Sequence, residues 1–233
     1  MSAAPVSRRS RPSKAPLSRD VIVRTGLQVL DRDGLDALTM RRVAQELDTG
    51  PASLYVYVTN RDDLMAAMLD EALGQVELPE EGDWQERLRA LAGATIGAMS
   101  RHEGLAVVAL AGVPTGLNAL LILERMLALL KEGGLDDATA SWAVDLLYLH
   151  ISAAGAEQNV YDTADADEAD HLAEADRRYA ALPADRYPVI TSLRTELLSG
   201  GDRAGWGMQV LINGILNTPV GPAHRACGRA TAG

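Results

Sequence analysis

The sequence predicts an all-α protein in two parts, a small N-terminal three-helix unit and a larger C-terminal helical body. Three observations predict it. Phe is absent while Ala and Leu dominate, where strands would favour β-branched and aromatic residues. Apolar residues recur every three or four positions between Ser, Thr, Asp or Asn caps and Gly stops. A chain of 233 residues can also bury one small core and one larger one.

Residues 1–17 are expected to be a disordered basic arm, since the first sixteen mix Pro and Ser with four basic residues and no acid. Order is expected from Ser18, an N-cap with Asp20 in the first turn and Leu17 placed to staple onto Ile22. Ile22, Val29 and Leu30 share one face and Gly34 is the stop, giving a helix over 18–33. Thr39 caps a short second helix carrying Val43, Ala44 and Leu47, which Asp48-Thr49-Gly50 breaks. Pro51 suits the first turn of a third helix over about 51–57. Asn60 caps a fourth, with Leu64, Met68 and Ala72 on its buried face. The boundary between the two units is placed at 64/65.

In the body, Asp83 and Glu86 read as a capping box for a helix over about 84–100. His102-Glu103-Gly104 breaks it, and a short helix over 105–112 follows. Pro114 opens the next helix, which Gly133-Gly134 ends, and Leu135-Asp136-Asp137 opens a long one through Tyr161. Residues 162–187, dense in Asp, Glu and Ala, are expected to be a solvated mobile loop, with some helix left open. The last helix is placed at about 202–217, so the body spans 65–218 and 219–233 is a flexible tail.

The net charge of −10 is unevenly spread. Residues 1–61 hold ten basic residues against six acidic ones, while the remainder is strongly acidic. A basic head on an acidic body lets one end approach phosphate, because counterion release depends on the contacting face. The single Cys227 can form no internal disulfide, and the basic, Pro-containing start lacks an export signal, so a cytoplasmic location is expected. Gly104 to Leu123 is twenty residues without a charge, but Gly112, Pro114, Thr115, Gly116 and Asn118 interrupt it. Two buried helices joined at 112–116 are expected there, and no membrane span.

Two short helices joined by a three-residue turn and packed on a longer one make a helix-turn-helix, whose second helix a DNA major groove admits. On that helix Leu54 and Val58 point to the core. Ala52, Ser53, Tyr55 and Val56 face outward and Tyr57 sits at the edge. Small residues and tyrosines with hardly any charge suit close approach to bases and phosphates; the alternative is that both rings cover the core. The segment LTMRRVAQELDTGPASLYVYVTNRDDLMAAML, residues 38–69, resembles the DNA-binding domain of the tetracycline-repressor-like (TetR) family. It shares that family's Leu-Thr-x-Arg opening, its Leu-Tyr-x-(His/Tyr)-(Val/Phe) close and its Asn-Lys/Arg-x-x-Leu start of the fourth helix. The resemblance implies that Arg41, Pro51, Ala52, Ser53, Tyr55, Val56 and Tyr57 face the major groove, and that Thr39, Tyr55, Tyr57 and Arg61 hold phosphates. Asp48 stands where the family usually has Gly in a left-handed turn, a conformation Asp tolerates.

The body resembles the tetracycline-repressor branch more weakly, through Asp-Trp-Gln-x-x-Leu-Arg at 83–89, the break at 102–104, Pro-Thr at 114–115 and the closing helix. This implies a homodimer joined through 136–161 and 202–217, with operator DNA and a small-molecule effector as partners. Drug-sensing members hold a metal-chelated antibiotic with a His and a carboxylate; here Ala109 and Ala156 fall at those positions, so neither metal nor cofactor is expected. An apolar effector pocket is instead expected from Leu91, Thr95, Met99, Val113, Ile122, Met126, Trp142 and Leu146; the alternative is that these fill a core.

The sequence carries no Gly-rich phosphate loop after a strand, no His-Glu-x-x-His and no Cys pair, and its four His residues stand apart, so no enzyme is expected. The expected function is a ligand-responsive transcriptional repressor. The competing reading is a helical ligand-sensing adaptor that does not bind DNA.

Overall fold

The computed structural model describes residues 16–163 and 168–221, and all regular structure within them is helical. The N-terminal head comprises α1 (Arg19–Asp33), α2 (Met40–Glu46) and α3 (Pro51–Leu54), with α4 (Arg61–Leu73) leading into the body. The expected caps form: side chains of Ser18, Thr39 and Asn60 accept from the N–H groups of Val21, Arg42 and Asp63. Asp48 takes the left-handed conformation, φ 51°, at the turn between α2 and α3. α3 is shorter than the expected 51–57. Beyond Leu54 the chain tightens, and the N–H groups of Tyr57 and Val58 both donate to the Leu54 carbonyl.

The body is built from α5 (Trp84–Ser100), α6 (Leu105–Ala111), α7 (Leu117–Glu132) and α8 (Asp137–Thr163), closed by α12 (Arg203–Asn217). The Asp83/Glu86 capping box starts α5 as expected. α8 is the spine, packing on α5, α6, α7 and α12. Gly155 permits its close approach, since a Cβ there would lie 3.2 Å from that of Met99 and 3.4 Å from that of Ala106. α7 begins three residues after Pro114, for a reason found on α4 and described below. α6 and α7 divide the uncharged run at 112–116, and no helix among the described residues is long and apolar enough to cross a membrane.

Between α8 and α12 lie α9 (Glu168–Ala180), α10 (Pro188–Ser192) and α11 (Arg194–Leu197). The mobile loop expected at 162–187 is therefore substantially helical from 168. Arg177 and Arg178 both pair with Glu174 one turn back, and Arg194 of α11 holds Asp176 at 3.0 Å. The expected tail also starts anchored, because the Val220 N–H donates to Thr139 Oγ1 at 2.9 Å. Residues 1–15 of the arm expected over 1–17, and the expected tail beyond 221, lie outside the described residues.

Candidate DNA-binding face and effector site

The second short helix of the head is held by its inward residues. Leu54 is fully buried and Val58 nearly so, which turns the intervening residues outward. Tyr55 is 53% exposed, Val56 80% and Tyr57 37%. Neither ring is buried as a core cover would be. Pro51 and Ala52 are also exposed and Ser53 is half-buried, so the surface has small side chains and phenol hydroxyls but no charge.

The arginines beside it divide by partner. Arg42 donates to Asp33 and to Glu46, and Arg32 reaches the same two carboxylates from α1. Hydrogen bonds from Arg32, then Arg42, hold the Asp33 carboxyl down to about 2 and also depress that of Glu46. Two of the head's cations are thus neutralised within it. Arg41 is exposed and makes no hydrogen bond or ion pair with the described residues. Thr39 is exposed at the α2 cap. Arg61 is more constrained than the sequence suggested: its Nε donates to the Leu38 carbonyl at 2.8 Å and its Nη2 to that of Leu35 at 3.0 Å. The guanidinium braces the α1–α2 connection.

The eight residues expected to line one pocket fall in three places. Leu91, Thr95, Met99, Ile122 and Met126 lie in the packed core, the Thr95 hydroxyl donating to the Leu91 carbonyl at 2.7 Å. Val113 is 85% exposed on the α6–α7 connection. Trp142 and Leu146 lie on the outer face of α8, where with Val210 and Gly214 of α12 they line an apolar groove of about 520 Å³. The separation has a simple cause. α8 is apolar on two faces, and helical spacing does not tell which one meets the protein's own core.

A separate cleft of about 240 Å³ runs between α4, the α6–α7 connection and α8. Ala109, Val113 and Pro114 form apolar walls, with Asp70 and Tyr148 as polar members. Burial, with the Asp70 charge nearby, pushes the Tyr148 phenol above its ordinary range. Ala109 is buried in this cleft and Ala156 packs on the core, and neither side chain can ligate metal. Among the described residues no three His, Cys, Asp or Glu side chains group to hold a metal ion. Further along α8, the fully buried Ser152 hydroxyl has no hydrogen-bond partner among the described residues.

Head and body meet at contacts that the sequence did not disclose. His102 Nδ1 lies 2.6 Å from Asp31, and the Glu103 carboxylate accepts from the Leu35 N–H at 2.8 Å. Gly104, at φ 77°, gives Leu35 its seat, because a Cβ would come within 2.9 Å of that side chain. On the other side of the junction Asp70 reaches from α4 to the start of α7. The legible signal for the first contact is the Gly at the break; for Asp70 it is a helix opening on Gly116, which has no side chain with which to cap.

Comparison with known proteins agrees with this architecture. Residues 22–68 match the model of bacterial regulatory proteins of the tetR family, and residues 77–218 match that of the tetracyclin repressor-like C-terminal domain. The chain is 32% identical over 219 residues to the HTH-type transcriptional repressor DrrR1 of Streptomyces coeruleorubidus, covering 88% of this chain and 80% of that one. It is 26% identical over 205 residues to the class D tetracycline repressor of Escherichia coli, with 86% and 87% covered. The crystal structure of ActR of Streptomyces coelicolor in complex with actinorhodin superposes with a TM-score of 0.79 at 37% identity, covering 90% of this chain and 99% of that one.

Proposed function

The chain belongs to the TetR family of bacterial transcriptional regulators, and from that premise we propose how its surfaces divide the work of a dimeric, effector-released repressor. The observation that carries the reading is the outward face of 51–57, two exposed tyrosines among small uncharged residues beside the unpaired Arg41. Pro51, Ala52, Ser53, Tyr55, Val56 and Tyr57 enter the major groove with Arg41, and Thr39 and the tyrosine hydroxyls meet phosphates. Arg61 contributes chiefly by shaping the α1–α2 connection. Operator DNA lies in the cytoplasm, so the protein acts there.

Trp142 and Leu146 of α8, with Trp206 and Val210 of α12, form the dimer face. Trp206 is 71% exposed in the single chain; it lines one apolar groove with Leu146 and Val210, which shares those two residues with the groove that Trp142 lines, and exposed apolar side chains of this size on one face support burial against a second copy. The two heads then stand about one DNA turn, roughly 34 Å, apart.

The effector is a small, mostly apolar organic molecule entering the cleft between α4, α6–α7 and α8. At about 240 Å³ this cleft is smaller than an ordinary ligand site, so a larger molecule must displace its walls, and one wall is α4. Differential affinity for the displaced arrangement is what releases the operator. The Ser152 hydroxyl supports a polar anchor deeper in the same body, since an unpaired buried hydroxyl favours a ligand that pairs with it.

The test is a gel shift with the intergenic DNA flanking the protein's own gene, at two salt concentrations and with competitor DNA. Salt-sensitive binding that survives competitor and protects a two-fold symmetric site is expected. Binding that competitor erases, there and in a genome-wide site selection, would leave the adaptor reading.

A further inference from the structure

α7 opens on Gly116, which has no side chain to satisfy the free N–H groups of the first turn. Asp70 supplies the missing acceptor from α4. Its Oδ1 accepts from the Ala119 N–H at 2.9 Å, the position an N-cap side chain ordinarily serves. The Asn118 amide returns the contact by donating to the Asp70 carbonyl at 2.9 Å. Gly116 is required for this approach, because a Cβ there would stand 2.2 Å from Asp70 Oδ1 and 2.3 Å from its Cγ. The carboxylate thus occupies the space where a local cap would sit.

We propose that Asp70 is a positioning residue for operator binding, capping α7 from α4 so that the helix beneath the DNA-binding head and the start of α7 move as one unit. The inference rests on the regulator reading above. α1 packs on α4, and α4 in turn on α6 and α7, so the angle of α4 sets where the head stands. A cap made within α7 would stabilise that helix equally well but leave α4 untied. Without the tie, fewer molecules hold both heads at operator spacing, and apparent affinity falls by that fraction.

The experiment separates the cap from the tie. Asp70→Ala and Asp70→Gly are compared with the double variant Asp70→Gly/Gly116→Ser, in which a serine caps α7 locally; glycine is needed at 70 because a Cβ at 116 would stand 2.7 Å from the Cβ of residue 70. The full-length dimer is tested by thermal melting, sedimentation and fluorescence anisotropy on the operator fragment the wild type protects. Asp70→Ala is expected to lower the melting midpoint by about 2–4 °C, the scale of one lost N-cap in a chain of this size, and to weaken operator binding at least about fivefold. Relative to Asp70→Gly, the double variant should regain the about 2–4 °C of one cap and keep the weakened binding. Recovery of both together would reduce Asp70 to a structural cap and overturn the proposal, as would Asp70→Ala binding within twofold of wild type. No recovery of the midpoint would refute the capping role itself. Wild type that protects no site would instead refute the regulator reading, so the two failures are distinguishable.

Discussion

Leu54 and Tyr55 are adjacent in sequence and opposite in role, so truncating each to Ala tests how the recognition segment is built. Leu54 is fully buried, and its loss should cost about 2–5 kcal/mol, the range for a buried Leu cut to Ala. Tyr55 is 53% exposed, and its loss should leave stability within about 0.5 kcal/mol. Operator binding reverses the order of interest. Each head that loses a tyrosine hydrogen bond forfeits about 0.5–1.5 kcal/mol net, or about 1–3 kcal/mol for a dimer, which is a roughly 5- to 140-fold weaker complex. Urea denaturation reads the first quantity, and anisotropy with operator DNA below the unfolding transition reads the second. Tyr55→Ala with wild-type stability and reduced affinity is the expected result. If it unfolds as easily as Leu54→Ala, the ring is a core cover; if it binds like wild type, the segment does not touch DNA. Either outcome refutes the assignment.

Four further expectations use the same geometry. Arg41→Gln should weaken binding to the operator more than to competitor DNA, since a side chain in the major groove reads base edges, whereas Arg42→Gln, whose charge is already held by Asp33 and Glu46, should act on stability more than on operator discrimination. The folded carboxyls of Asp33 and Glu46 lie below their ordinary values, so their contribution is complete above about pH 5 and is lost as pH falls, for Asp33 toward about 2; circular dichroism in acid should show this loss, and Asp33→Asn/Glu46→Gln should abolish that part of the pH dependence. Gly133→Ala sets a Cβ 2.7–2.9 Å from three Trp84 ring atoms at a backbone φ of −70° that Ala accepts, so melting should report pure overpacking of about 1–3 kcal/mol. Trp206→Glu should halve the sedimenting mass while the helical spectrum is retained, and a dimer that persists would move the interface elsewhere.

Local chemistry was legible in the residues. An N-cap reaches only two or three positions ahead, so Ser18, Thr39, Asn60 and the Asp83/Glu86 pair marked their helices within the sequence itself. Leu54 and Val58 coincide on the helix surface, and that spacing alone determined that Tyr55 and Val56 face out. The resemblance over 38–69 added the family and its DNA contacts, because recognition there sits in one short contiguous motif.

What the sequence could not determine was which distant group meets each face. Helical periodicity marks a residue as apolar but not what covers it, and so it groups Trp142 and Leu146 with Leu91 and Met99, although the first two are exposed on the outer face of α8 and the last two are buried in the core. Composition counted Arg32 and Arg42 toward a basic head, yet tertiary packing sets both against Asp33 and Glu46. Pro114 signalled a helix start, but the start waits until residue 117, where a carboxylate on α4 can reach. The acidic stretch after α8 became helix where Glu174 and Asp176 found arginines. The sequence by itself determined the helices of the head and the main helices of the body, most of their caps and the family; only the tertiary structure decided which charges remain free for DNA and which residues tie the head to the body, because those depend on partners tens of residues away in the chain.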